Sequence, residues 1–218
     1  FFEYVYPNGI DDYSPGAKFC TLGNYSLKGD EYRLPGNIEY LESGISVFNE
    51  RMELTNHGGC SRTAPRKTMR LYFDNDVNFG VFKEAPDRLH KRLLIRNSGN
   101  DWAGLLYRDA FYQDLVRKMN FGRQETTPTV VYLNGEYWGI MNYRDRMDRH
   151  YLKNVYSVNQ DSVDLISYSN GLELEEGDLN TYNNLLDFLT NNDFLIQSNY
   201  DSLMRLIDES NFIDYQIA

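Results

Sequence analysis

Hydrophobic and polar residues alternate over much of the first half of the chain, and the pattern changes to a helical period further on. Residues 1–36 are rich in turn-forming residues and predict loop and short strand. From Pro35 onward, alternation over five or more positions predicts strands in NIEYLESG, GISVFNERMELTNHGG and TMRLYFDND, and the apolar run KRLLIRN predicts a further strand. We expect these strands to pair in antiparallel fashion.

A helix and a hairpin follow the first strands. Turn residues in RNSGNDW precede an apolar repeat at three- and four-residue steps, which predicts a helix over residues 102–120 with Gly122 at its C-cap. The segment TPTVVYLNGEYWGIMNYR predicts a β-hairpin over residues 129–143 that turns at Asn134-Gly135, because a type I′ turn needs positive φ at both central residues. The apolar positions of the helix are Leu105, Leu106, Tyr112, Leu115, Val116 and Met119.

Beyond residue 144 the helical period prevails. It predicts a short charged helix in DRMDRHYLKNVY, a strand in DSVDLISY, and two helices in NTYNNLLDFLTNN and NYDSLMRLIDESNFIDYQIA. The sequence therefore predicts an α+β fold in which an antiparallel sheet with a packed helix is followed by a helical region. The expected divisions are a loop-rich extension over residues 1–34, a sheet-containing lobe over 35–143 and the start of a helical lobe over 144–218.

Charge and cysteine content narrow the class of protein. The net charge of −10 and the pI near 4.8 argue against nucleic-acid binding or attachment to an anionic membrane surface. No apolar run approaches the ~20 residues of a membrane span, and the N-terminus lacks the pattern of a signal peptide. Cys20 and Cys60 are the two cysteines, and they are either one disulfide formed in an oxidising compartment or two unrelated thiols.

Several familiar catalytic signatures are absent from the sequence. His57, His90 and His150 have no cysteine or histidine at zinc-site spacing, and the nucleophile elbow, P-loop and dinucleotide-binding glycine motifs do not occur. Asp161 and Asp164 lack the ligand spacing of a calcium loop, which favours solvated carboxylates beside a strand. The sequence therefore predicts no zinc or calcium site.

A cationic turn is the clearest chemical feature. The segment GGCSRTAPRKTMRLYF places Arg62, Arg66 and Lys67 in and after a turn of small residues that leads into a strand. Such cations beside free backbone N–H groups form a local anion site. The alternative, which residue chemistry alone favours, is an ordinary basic end of a hairpin.

The same segment begins a series of ordered blocks that resembles the CotH family of spore-coat-protein-H-like atypical kinases. The blocks are GGCSRTAPRKTMRLYF, KRLLIRNSGNDW, YRDAFYQDL, VVYLNGEYWGIMNYRDRMDRHYL and DSVDLI, and the match as a whole runs from about residue 31 to 166. The resemblance implies a divergent kinase-like fold that phosphorylates proteins with ATP and a divalent cation, Mg²⁺ or Mn²⁺. Other members are surface adhesins or modules of secreted assemblies, so it also implies a secreted or cell-surface protein with a protein substrate or surface partner.

By this resemblance, Lys67 is the candidate lysine for the ATP phosphates and Arg62 a second phosphate contact. Kinases hold such a lysine with an acid from the next helix. Asp109 and Asp114 both lie on the predicted helix, and we prefer Asp109 for its place in the RDA block. We expect Asp109 within ion-pair distance of Lys67.

Two further positions have alternative roles. By the resemblance, Asp145 is a further candidate cofactor-binding residue, although relatives usually carry glutamate at its position. The alternative role of Asp145 is to cap a helix. For Trp102 and Trp138, packing in the core or hairpin is favoured over an adenine platform.

The family's catalytic base and metal-binding aspartates lie in a later segment, after a helix that resembles NFIDYQIA, and the chain ends at Ala218. No catalytic residue is therefore assigned, and we expect the chain alone to be inactive although it would bind nucleotide. The alternative function is a binding or structural module of the same fold that binds a protein or glycan through its aromatic surface, since the sequence has 18 tyrosines. A carbohydrate-active enzyme is a weaker alternative, because no carboxylate pair is identifiable.

Overall fold

The computed structural model describes residue 25 and residues 27–78, 80–168 and 171–218. These residues form two compact units. The first takes the described residues up to Tyr112 together with Gln124–Arg146, and the second takes Gln113–Arg123 and Met147–Ala218. Most of the predicted extension over residues 1–34 lies outside the described residues. Cys20 does too, so the predicted Cys20–Cys60 pairing lies partly outside the described residues, although Cys60 is disulfide-bonded.

The first unit is built around a six-stranded sheet whose order is β1-β2-β3-β4-β6-β5. Every neighbouring pair in this sheet is antiparallel. The strands predicted from alternation all form, so the prediction of an antiparallel sheet is confirmed. The strands are β1 (Leu34–Glu42), β2 (Ile45–Asn56), β3 (Met69–Val77), β4 (His90–Arg96), β5 (Thr126–Leu133) and β6 (Glu136–Asp145).

One face of the sheet forms the apolar core of the first unit. The sheet is curled, because Tyr40 of β1 reaches Tyr143 of β6 with ring centroids 6.0 Å apart although the two strands are not neighbours. Val81 and Phe82, from the loop between β3 and β4, also pack into this core. Its other buried members are Ile38, Leu54, Met69, Leu71, Phe73, Leu93, Ile95, Val131 and Met141.

The hairpin of β5 and β6 turns at the predicted residues. Asn134 has a φ of 51° and Gly135 a φ of 84°, as a type I′ turn requires, and Leu133 pairs with Glu136 across the turn. A register shift follows between Val131 and Tyr132, which is a β-bulge. The hairpin prediction is confirmed.

Replacing Gly135 by alanine is expected to lower the free energy of unfolding by about 1–2 kcal/mol, because the positive φ is unfavourable for an L residue with a Cβ. An added Cβ would meet nothing within 4 Å, so the cost is conformational and not steric. Gly135→Asn is the matched control, since asparagine tolerates this conformation. Chemical denaturation should give a smaller loss for Gly135→Asn than for Gly135→Ala, and equal losses would contradict the explanation.

The helix predicted over residues 102–120 is much shorter in the structure: α1 covers Arg108–Leu115. Leu106 has a φ of 59°, which a helix cannot accommodate, so the residues before it form turns. Leu105 and Leu115 are exposed, so the apolar period does not mark a buried face. Gly122 therefore caps no helix, and the predicted bounds are wrong at both ends.

The second unit contains the remaining helices, as predicted for the region beyond residue 144. The predicted strand in DSVDLISY forms as β7. It pairs in an antiparallel hairpin with a second strand, β8, which the sequence did not predict. The last predicted helix is divided into two. The elements are α2 (Arg149–Tyr156), β7 (Leu165–Tyr168), β8 (Leu172–Glu176), α3 (Asn180–Asn191), α4 (Gln197–Leu203) and α5 (Glu209–Ile217).

The six-stranded sheet thus lies in the first unit and most of the helices in the second, and the α+β class is confirmed. In the described part of the chain, no helix has the length and apolar character needed to cross a membrane.

Candidate functional site

The segment that joins β2 to β3 carries the cationic residues predicted from the sequence. It begins at Gly58, whose φ is 118°, and continues through a short 3-10 helix, Cys60–Thr63. Arg62 lies in this turn and is buried. Its Nε donates to the Gly58 carbonyl at 2.6 Å, and its Nη1 donates to the carbonyls of Leu27 at 2.8 Å and Tyr25 at 3.2 Å. The Arg62 side chain therefore holds the turn and the preceding chain together.

Lys67 lies at the end of the same segment, and its side chain is only 1% exposed. Its Nζ donates to the Arg62 carbonyl at 2.7 Å and lies 4.5 Å from the centroid of the Tyr25 ring. Burial lowers the pKa of Lys67 to about 8, because a charged ammonium loses solvation there. The structure thus keeps a cation at a position where its charge is costly.

The RNSGNDW block fixes the position of this lysine segment. Asn97 is buried after β4, and its Nδ2 donates to the Arg66 carbonyl at 2.6 Å. Its Oδ1 accepts from Thr68 Oγ1 at 2.8 Å and from the Gly99 backbone N–H at 2.9 Å. Asn97 therefore links Arg66 and Thr68, the two residues that flank Lys67, to the end of β4 through hydrogen bonds.

Sequence reasoning did not assign a role to Asn97 or Thr68. The signal was present, because a polar Asn-Ser-Gly turn directly follows an apolar strand there. Asn142 of β6 extends the network, since its Nδ2 donates to Ser98 Oγ at 2.9 Å and to the Leu106 carbonyl at 3.0 Å. The block distinctive of the family is thus a buried hydrogen-bonded connection.

Asp109 pairs with arginines and not with Lys67, which corrects the predicted ion pair. It lies on α1, and its carboxylate accepts from both Nη atoms of Arg144 on β6 and lies 3.2 Å from Arg96 Nε on β4. The other candidate, Asp114, pairs with Arg117 at 2.5 Å. An arginine competes well for a carboxylate because its planar guanidinium forms two parallel hydrogen bonds.

Asp145 belongs to a third group of side chains. It ends β6 with 1% exposure, and its Oδ2 accepts from Arg88 Nη1 and from the Glu125 backbone N–H at 2.8 Å. His90 Nδ1 lies 3.5 Å from Oδ1. Burial raises the pKa of Asp145 to about 6, although Arg88 and the Glu125 N–H oppose the shift.

The helix-capping alternative for Asp145 is wrong, because Asp148 caps α2. Its carboxylate accepts from the backbone N–H groups of His150 at 3.0 Å and Tyr151 at 3.1 Å. Trp138 packs against the apolar core, as expected for the hairpin.

The structure therefore places Lys67 beside Arg62, whereas Asp109 and Asp145 each lie in a separate group of ion pairs. Among the described residues, no group of three or more histidine, cysteine, aspartate or glutamate side chains is placed to hold a metal ion. No metal ligand set is assigned.

The model for the family described as CotH kinase protein matches residues 54–218, which include Lys67, strand β3 and the region beyond residue 144. The chain belongs to the CotH family. A search of curated proteins found no match to it.

Proposed function

We propose that this chain forms the nucleotide-binding part of a kinase-like phosphotransferase that transfers phosphate from ATP to protein. The family match supports a kinase-like protein in general. The main support for the proposal is that Lys67, a residue within the range that the family model matches, is buried and its ammonium donates to the Arg62 carbonyl. A lysine on or beside a strand of the sheet is a recurring phosphate contact in kinases.

Burial makes the charge of Lys67 unfavourable for folding, although its ammonium donates to the Arg62 carbonyl and contacts the Tyr25 ring. Burial lowers the pKa of Lys67, which means that the folded protein pays free energy to keep the side chain charged. Ionisable groups whose burial is unfavourable for stability are found preferentially at functional sites. We infer that Lys67 is kept for an anion, and that the phosphate oxygens of ATP are this anion.

The residues around Lys67 have different roles toward the nucleotide. The Nζ of Lys67 would donate to a phosphate oxygen, and the Tyr25 ring, which now lies against this ammonium, would have to give way. Arg62 fits a positioning role, since its carbonyl orients Lys67 and its guanidinium is bound to backbone carbonyls. The divalent cation that accompanies ATP neutralises phosphate charge when bound.

The experiment is a titration of the chain with ATP in the presence of Mg²⁺ or Mn²⁺, followed by calorimetry. We expect saturable binding that requires Lys67. Absence of binding with either cation would overturn the proposal.

Nucleotide affinity is expected to fall as the pH is raised through about 8, where Lys67 loses its proton in the free protein. A neutral amine no longer attracts phosphate, so the loss approaches about ten-fold per pH unit. Titrations between about pH 7 and 9, about one unit either side of this pKa, test the prediction. Lys83→Met, which removes an exposed lysine, is the control and should leave the pH profile unchanged.

The same shift predicts how stability depends on pH. The pKa of Lys67 is lower in the folded chain than its ordinary value of 10.5, so the unfolded chain binds the extra proton between about 8 and 10.5. The free energy of unfolding should therefore rise with pH over this window, through the contribution of Lys67. Lys67→Met should remove that rise.

We further propose that the protein is secreted or held at the cell surface and acts on a protein partner. Cys60 is disulfide-bonded, which supports an oxidising compartment.

A second candidate function is a binding module for a protein or glycan. The observation that favours it is an exposed aromatic pair at the tip of the β5–β6 hairpin, where the rings of Tyr132 and Tyr137 lie 5.8 Å apart. Val130 and Ile140 pair with each other further along the hairpin and are also exposed. Tyr132→Ala should abolish partner capture and leave ATP binding unchanged if this surface carries the function.

A further inference from the structure

The sheet of the first unit has a second face, opposite the apolar core, and several arginines lie on it. Arg70 of β3 pairs with Leu94 of β4, which in turn pairs with Arg144 of β6, so these three side chains lie on one face. Tyr72 and Arg92 form the next pair along β3 and β4 and lie on the same face. The intervening residues, including Leu71 and Leu93, point into the core.

Three of the arginines surround one aromatic ring. The guanidinium carbon of Arg33 lies 4.0 Å from the centroid of Tyr72, that of Arg92 lies 5.6 Å away and that of Arg70 lies 6.0 Å away. Each contact with the ring is favourable, but the like charges repel each other. We call Arg33, Arg70, Arg92 and Tyr72 the arginine face.

The positive charge of this face is incompletely balanced by carboxylates. Arg33 pairs with Asp30 at 2.5 Å and lies 3.6 Å from Glu53. Arg70 instead bonds to neutral groups, with its Nη2 2.6 Å from His57 Nδ1 and its Nη1 3.3 Å from Tyr72 Oη. Within the described residues, no carboxylate lies within ion-pair distance of Arg70, and the Nε–H groups of Arg33 and Arg70 have no acceptor.

His57, which is hydrogen-bonded to Arg70, has a pKa lowered mainly by burial and further by nearby arginines. Burial, and then the charges of Arg70, Arg146, Arg62 and Arg96, lower it to about 2. His57 is therefore neutral at physiological pH and accepts from Arg70 without balancing its charge.

The sequence distributes charge in a way that favours an anionic ligand here. Residues 54–73 and 88–100 contain the cations of β3 and β4 and no acidic residue. The acids are concentrated instead in residues 157–218, which hold 12 acidic residues and one basic residue. Residues 157–218 therefore account for the net charge of −10.

We propose that the arginine face binds an acidic segment of a partner protein, in extended conformation, through its carboxylates. Arg70 and Arg92 are each half-buried, and their guanidinium carbons lie 6.0 and 5.6 Å from the centroid of the Tyr72 ring. An extended peptide presents alternate side chains on one side at intervals of about 7 Å, which suits carboxylates that reach both guanidiniums. A long nucleic acid fits less well, because the acids of the chain repel a dense polyanion.

This binding surface does not rest on the nucleotide proposal. Arg70 points to the face opposite the core, whereas the Nζ of Lys67 is bound to the Arg62 carbonyl in the turn before β3. The two sites can therefore be tested separately with one protein preparation.

The probe is a fluorescein-labelled peptide of alternating glutamate and serine, followed by fluorescence anisotropy. We expect saturable binding that weakens when salt is raised from about 50 to 200 mM, because the contacts are charged and partly exposed. Arg70→Gln should weaken binding about ten-fold, as expected for loss of a charged hydrogen-bonding group. Arg205→Gln, which removes an exposed arginine from the second unit, should leave it unchanged.

Circular dichroism melting shows whether Arg70→Gln folds, and Arg92→Gln is the second variant if it does not. Saturating ATP with Mg²⁺ should leave peptide affinity unchanged, and displacement by ATP would place the peptide at Lys67 and overturn the proposal. Equal weakening by Arg205→Gln, or no saturable binding at low salt, would also overturn it. Tighter binding of a single-stranded oligonucleotide of equal charge would refute the assignment to an acidic peptide.

Discussion

Replacing Lys67 by methionine is expected to weaken ATP binding by at least about ten-fold, because one charge-assisted hydrogen bond to phosphate contributes about 1.5–3 kcal/mol. The same variant should leave the free energy of unfolding at pH 7 unchanged or higher, since methionine keeps the aliphatic volume and removes a buried charge. Calorimetry with ATP and chemical denaturation measure the two effects on the same sample.

The combination of lost affinity and retained stability is what separates a ligand-binding lysine from a structural one. Lys153→Met, in α2, is the control because that lysine is exposed and should change neither quantity. A large loss of stability in Lys67→Met with unchanged ATP affinity would show that Lys67 holds the turn together and does not bind phosphate.

The sheet was predictable because its signals are local. Alternation over β1 to β3 reports which face of each strand is buried, and Asn134-Gly135 fixes the register of the β5–β6 hairpin through its own backbone preference. Neither signal depends on what happens elsewhere in the chain. The second strand of the β7–β8 hairpin was missed because LELEE is short and rich in glutamate, which is depleted in strands.

The helix over residues 102–120 failed for the opposite reason. Its apolar period is real, but the carboxylate of Asp101 accepts from the backbone N–H groups of Leu105 at 3.2 Å and Arg108 at 3.2 Å. These bonds hold residues 102–107 in turns, and α1 begins only at Arg108. Side-chain bonds of this kind compete with a helix, and a hydrophobic pattern does not record them.

The sequence predicted which residues belong to the candidate site, but it did not predict which side chains they pair with. Family resemblance singled out Lys67 and Arg62, and the structure brings them together through the Arg62 carbonyl. Sequence spacing did not reveal that Asp109 faces Arg96 and Arg144, because both arginines come from strands whose faces are set by the whole sheet. Burial and the charge of Arg96 lower the pKa of Arg144 to about 9, and Asp109 balances this charge.

Replacing Arg62 by alanine is expected to lower the free energy of unfolding by about 3–4 kcal/mol, which is large for one substitution. Its guanidinium donates to the carbonyls of Gly58, Tyr25 and Leu27, and removal leaves these buried or part-buried acceptors without that donor. Chemical denaturation measures the loss. Arg51→Ala, in β2, is the control, since that side chain is exposed and its removal should cost less than about 1 kcal/mol.

Arg62→Lys distinguishes the positioning role from the direct phosphate contact implied by the family resemblance. A lysine keeps the charge but lacks the planar fork that reaches several carbonyls, so most of the stability loss should persist. If Arg62 only positions Lys67, the pH at which ATP affinity falls should shift, because loosening the turn exposes the Lys67 ammonium and brings its pKa back toward 10.5. If Arg62 instead contacts phosphate directly, Arg62→Lys should weaken ATP binding at every pH and leave unchanged the pH at which affinity falls. It should also cost little stability. This result would support Arg62 as a phosphate-binding residue.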